Sequence, residues 1–132
     1  MKFERRFTKA GQDTYDQITF RSASSEIRNP DGTVVFSAEN IEVPQQYSQV
    51  ATDILAQKYF RKAGVAAKLK CVEENDVPSW LWRCVPDTKA LEKLPEEKRF
   101  GGETSAKQVF NRLVGTWTYW AWKANYLSLI HI

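Results

Sequence analysis

Residues 104–126, TSAKQVFNRLVGTWTYWAWKANY, constrain the fold of this chain more than any other stretch. Val109, Leu113, Trp117, Trp120 and Ala124 recur at steps of three and four, so a helix places them on one face. Phe110, Val114 and Ala121 widen that face. Thr104 is the expected N-cap, because its hydroxyl can take a free N–H of the first turn. A helix of this length spans roughly 30 Å, the width of a small domain. Tyr119 and Trp122 lie off the stripe, so the end of the helix is apolar almost all round, and such a helix needs partners on several sides. Only six residues follow Tyr126, which points to the front part of a larger protein.

At 132 residues the chain suits one domain, and a domain of that size buries roughly two thirds of its unfolded surface. A net charge of +3 is too small to argue for nucleic acid, so neither DNA nor RNA is expected as a partner. No apolar run approaches the roughly 20 residues that cross a bilayer. The opening MKFERRFTKAGQD has no apolar core behind its basic residues, so it does not read as a signal peptide, and the default setting is cytoplasmic. Cys71 and Cys84, with twelve residues between them, read as two reduced, partly buried thiols of a cytosolic protein. They lack the CxxC spacing of a redox pair and the further ligands of a zinc site, and His131 is the sole histidine.

Read in order, residues 1–14 form a loose arm and 15–38 a hairpin. Ile18, Phe20 and Ile27 mark its first strand, Asn29, Pro30, Asp31 and Gly32 its turn, and Thr33 to Phe36 the return. Residues 41–44 are an extended lead-in ending at Pro44. Ser48 then caps a helix running to 63, with Ala51, Leu55 and Tyr59 in one row, Val50 and Ile54 in the next, and Gly64 as its stop. This helix is expected to pack on the long one through Leu55, Tyr59, Leu113 and Trp117. Lys58, Arg61, Lys62, Lys68 and Lys70 could meet phosphate, but they also suit a helix C-terminus and a solvated face, which is the plainer reading. Trp80 and Trp82 could stack on a base, but tryptophans this close more often pack a core. Residues 65–76 read as a connector, 86–94 as a short helix, and Gly101 and Gly102 as a flexible joint. The expected class is α+β, mainly α, with one hairpin near the N-terminus and a helical 48–126. No phosphate loop, GxSxG or HExxH is present, so catalytic, cofactor-binding and metal residues are all expected to be none.

Several long strings go further. IEVPQQYSQVATDILAQKYFRKAGV (41–65), ENDVPSWLWRCVPD (74–87) and FGGETSAKQVFNRLVGTWTYWAWKANY (100–126) closely resemble the N-terminal region of bacterial class II, adenosylcobalamin-dependent ribonucleotide reductases. MKFERRFTKAG and SEIRNPDGTVVF are similar to that family too, so the resemblance covers 1–126. It implies a parent enzyme in which homolysis of the cobalt–carbon bond leads to a thiyl radical in a catalytic barrel. It also implies ribonucleotide substrates, diphosphates by subfamily, and a thioredoxin-like dithiol reductant. Neither Cys71 nor Cys84 matches a catalytic cysteine of the family, and the barrel elements are missing, so the chain by itself is expected neither to turn over nor to bind adenosylcobalamin. The ending LSLIHI resembles a translated sequencing adapter, and 127–132 are expected to be a non-native tail. Two other readings stand beside this one. SEIRNPDGTVVFSAENI has the strand, turn and strand outline of an ATP-binding cone, without the basic pair such cones carry, and a pure interaction domain is the other.

Overall fold

The turn at 29–32 forms as its residues dictate. Gly32 takes φ 88°, its N–H donates to Asn29 O at 2.9 Å, and Thr33 N–H donates to the Asp31 carboxylate at 2.8 Å. The computed structural model describes residues 4–127. Strands β1 (Phe20–Arg28) and β2 (Val34–Pro44) run antiparallel from this turn. The hairpin therefore starts and ends later than expected, spanning 20–44 rather than 15–38. Residues 41–44 are the inner end of β2, paired with the start of β1 from Ile41↔Ala23 to Pro44↔Phe20. Thr14–Gln17 is instead a 3₁₀ turn capped by Asp13.

One extra residue sits in β2 between the pairs Ala23↔Ile41 and Ser25↔Ala38. Asn40 absorbs it at φ 54°, a left-handed conformation that asparagine tolerates better than most residues. Beyond this bulge, Ile41 and Val43 point inward at 2% and 0% exposure.

Ser48 caps helix α1 (Gln49–Ile54), its hydroxyl accepting from Ala51 N–H at 3.2 Å. A π-helical turn, Leu55–Tyr59, continues α1 and is closed by Phe60 N–H on Leu55 O at 3.1 Å. The helix thus stops at 59, short of the expected 63. Helix α3 (Ala106–Lys123) starts from a capping box of Ser105 and Gln108, so Ser105 and not Thr104 is its N-cap. Thr104 O instead accepts from Glu42 N–H at 2.8 Å, tying the start of α3 beside β2. The core lies where these pieces meet: Ile41, Val43, Leu55, Ala56, Phe60, Ala106 and Val109.

Residues 65–101 correct the expected fold class. Strand β3 (Val65–Ala66) pairs with β6 (Phe100–Gly101), and β4 (Leu69–Cys71) pairs with β5 (Cys84–Pro86). The only α-helix described in this part is the single turn α2 (Thr88–Leu91), capped by Asp87. Val77, Leu81 and Leu91 are buried here, outside the main core. At 35% helix and 25% strand the chain is α+β with antiparallel two-stranded sheets, not mainly α. Short apolar runs broken by proline lack the length that reveals a strand, which is why this region reads as connector and helix. Gly102 is no loose joint either: a Cβ there would lie 3.0 Å from Lys62 O and 3.1 Å from Arg61 O, so a side chain would crowd the passing backbone. Apart from Leu127, the hexapeptide expected as a non-native tail lies outside the described residues.

Candidate functional site

Helix α3 has two faces with different fates. Its polar-edged face is fastened to the loop after β4. Tyr119 OH donates to Glu74 at 2.8 Å, Lys123 Nζ reaches the same carboxylate at 3.1 Å, and Trp122 Nε1–H donates to Asp76 O at 2.6 Å. The hydrogen bond from Tyr119, followed by that from Lys123, holds the Glu74 carboxyl below its ordinary range, and the same contact raises Tyr119. The opposite face carries the apolar stripe read from the sequence, and it faces outward. Val114, Trp117 and Trp120 are 56%, 59% and 63% exposed.

This stripe continues into a groove of about 360 Å³ between the two long helices. Tyr47, Ala51, Ile54, Leu55 and Tyr59 form one wall; Val109, Phe110 and Leu113 form the other. The expected helix contact is thus half right. Leu55 is buried and Leu113 packs against the core, whereas Tyr59 and Trp117 are 52% and 59% exposed. At the core end, β2 packs against both α3 and the π-helical turn that follows α1.

A buried carboxylate ties the end of the α1 segment to α3. The Glu103 side chain is wholly buried, and its Oε1 accepts from Arg61 N–H, Arg61 Nε and Arg112 Nε, each at 3.0 Å. Arg112 also donates to Tyr59 O. Burial alone pushes the Glu103 carboxyl up, but these donors together outweigh it and hold the pKa below the ordinary value. Nothing in the local pattern around Glu103 announces this brace, since its partners lie 42 and nine residues away.

The candidate phosphate and base sites are not brought together. Arg61 is spent on Glu103, while Lys62 lies 4.5 Å over the Phe36 ring and donates to Ala56 O. Trp82 donates to Val77 O at 3.0 Å, and Trp80 is 58% exposed. Arg28, beside the hairpin turn, is engaged by Glu26 and Gly32 O. Among the described residues no group of His, Cys, Asp and Glu could hold a metal, and no helix is long and apolar enough to cross a membrane.

The family model described as class II vitamin B12-dependent ribonucleotide reductase matches residues 21–130. The chain belongs to that family. It is 66% identical over 128 residues to the vitamin B12-dependent ribonucleotide reductase of Agrobacterium fabrum, and 64% identical over 128 residues to that of Bradyrhizobium diazoefficiens. Each match covers 97% of this chain and 10% of the relative, so the chain spans about a tenth of the length of these reductases. The match is to the N-terminal part of the reductase family.

The described residues do not fit the vitamin itself. A corrinoid exceeds a drug-sized ligand and carries a fringe of amides. The groove, at about 360 Å³, sits at the small end of the ~300–1,000 Å³ range of ligand sites. Its lining is aliphatic and aromatic with only tyrosine hydroxyls for polar contact, and the described residues include no histidine to reach cobalt.

Proposed function

We propose that this chain is the non-catalytic N-terminal docking module of an adenosylcobalamin-dependent ribonucleoside-diphosphate reductase. The observation that carries the proposal is the outward stripe of Val114, Trp117 and Trp120, on a helix whose other face is already fastened. Aromatic side chains in such a patch mark an interface. Its occupant is the catalytic barrel of the same polypeptide, which fits a chain a tenth as long as its reductase relatives. In the whole cytoplasmic enzyme, the barrel holds the radical cofactor and the ribonucleotide, and a thioredoxin-like dithiol supplies electrons for deoxyribonucleotide formation. This chain's part is to hold the barrel in place, since catalytic groups must sit within fractions of an ångström.

The test joins this chain to the remaining sequence of the Agrobacterium relative. The chimera should form deoxyribonucleoside diphosphates only with adenosylcobalamin and an external dithiol, and the isolated chain should form none. Equal product without the cofactor, or turnover by the isolated chain, would remove this reading. Titration of the chain with ATP and dATP addresses nucleotide sensing: no binding at millimolar concentration is the expected result.

A further inference from the structure

We propose that Cys71 and Cys84 form a reversible cross-strand disulfide that closes the loop holding the end of α3. The two residues face each other in the β4–β5 pair, with sulfurs 2.9 Å apart, and both are exposed. Val72 N–H donates to Arg83 O at 2.8 Å, and Asp87 N–H to Lys68 O at 3.0 Å. These bonds lie one and three pairs from Cys71↔Cys84, which makes it a non-hydrogen-bonded pair. Cα atoms in such pairs stand about 4.5 Å apart, at the short end of the 4.4–6.8 Å range that a disulfide bridges. The sulfurs, 2.9 Å apart, must close by about 0.9 Å to reach the bonded distance of a disulfide. A short, exposed bridge of this kind is of the labile rather than the permanent class.

The chemistry closes with a small-molecule disulfide such as glutathione disulfide as oxidant. The Cys71 thiolate attacks one sulfur of the oxidant and releases one thiol, giving a mixed disulfide. The Cys84 thiolate then attacks the Cys71 sulfur and releases the second. Two protein thiols lose two protons and two electrons, and the oxidant leaves as two thiols. In the reduced pair the hydrogen bond with Cys71, and then burial and the Cys71 charge, raise the Cys84 pKa, so Cys84 keeps its proton while the Cys71 thiolate makes the first attack.

The bridge encloses Glu74 and Asp76, the residues to which Tyr119, Lys123 and Trp122 are fastened. Oxidation therefore restrains the loop that positions the outer half of α3. Reduction frees that loop to move without altering the core at the other end of the helix.

The experiment equilibrates the whole chain in glutathione redox buffers, with thiol labelling and intact mass as readouts. The native chain should lose both thiols together, become lighter by two hydrogens, stay monomeric and recover with dithiothreitol. Its equilibrium constant against glutathione should exceed that of the urea-unfolded chain by about tenfold or more, because the fold raises the effective thiol concentration. Cys71→Ser and Cys84→Ser should each stop at a glutathione adduct. Hydrogen exchange over 119–123 should slow by about twofold or more on oxidation. Equal constants in native and unfolded chains, adducts at both cysteines without a bridge, or intermolecular dimers would each overturn the assignment. Unchanged exchange over 119–123 would overturn the restraint on α3.

Discussion

The two halves of α3 share one apolar pattern and differ in what meets it. Ala106 and Val109 are 0% and 1% exposed against β2 and the α1 segment, whereas Val114, Trp117 and Trp120 two turns further on are more than half exposed. The larger side chains thus lie in the less buried half. Periodicity says which residues share a face, but burial depends on whether another element lies over it. Under the proposed docking to a catalytic barrel, the uncovered half of α3 is the surface that the barrel covers.

The largest effects should come from the covered half. Leu55→Ala removes a core side chain that is 6% exposed and should cost about 3 kcal/mol in urea unfolding. A loss below about 0.5 kcal/mol, the size of a surface change, would mean that the core is elsewhere.

Glu103→Gln should cost about 2 kcal/mol, because it weakens charge-assisted bonds to Arg61 and Arg112 at a buried site. It should also alter the pH dependence. The folded-state pKa of Glu103 is depressed, so its contribution is present above the ordinary carboxylate pKa and fades as pH falls through the lower folded value. Stability measured from neutral to acid should fall more steeply for the native chain than for Glu103→Gln. Parallel curves would contradict the brace.

The comparison sharpens further along the helix. Val109→Ala should cost about 1–1.5 kcal/mol, its lost transfer term plus a small cavity. Trp117→Ala should stay within about 0.5 kcal/mol although it removes far more side chain, because Trp117 is already 59% exposed. If Trp117→Ala destabilises the isolated chain more than Val109→Ala, the two halves are not as different as proposed. In the chimeric reductase the smallest stability change should become a large activity change: Trp117→Arg should abolish turnover while leaving the isolated chain folded.

Local chemistry was legible in the sequence. The turn at 29–32, the Ser48 cap and the long helix form for the reasons their residues state. Long characteristic strings were enough to recognise the family. Features that depend on distant residues were not legible. The bulge at Asn40 moves Ile41 and Val43 into the core, and the cap passes from Thr104 to Ser105 because Thr104 O is taken by Glu42. The short strands at 65–66 and 69–71 exist because partners at 100–101 and 84–86 return to them. The exposed stripe lay on residues already singled out by spacing: the shortage of partners for so apolar a helix end points to half-exposed indoles at 117, 120 and 122, and Trp117 and Trp120 are 59% and 63% exposed, although spacing also paired Trp117 with the first helix.

The central claim is tested most directly by hydroxyl-radical footprinting of Trp117 and Trp120, comparing the isolated chain with the chimeric reductase. Both indoles should be modified readily in the isolated chain and at least about fivefold more slowly in the chimera, as expected for side chains passing from a surface patch to an interface. Equal modification in the two would contradict the docking face.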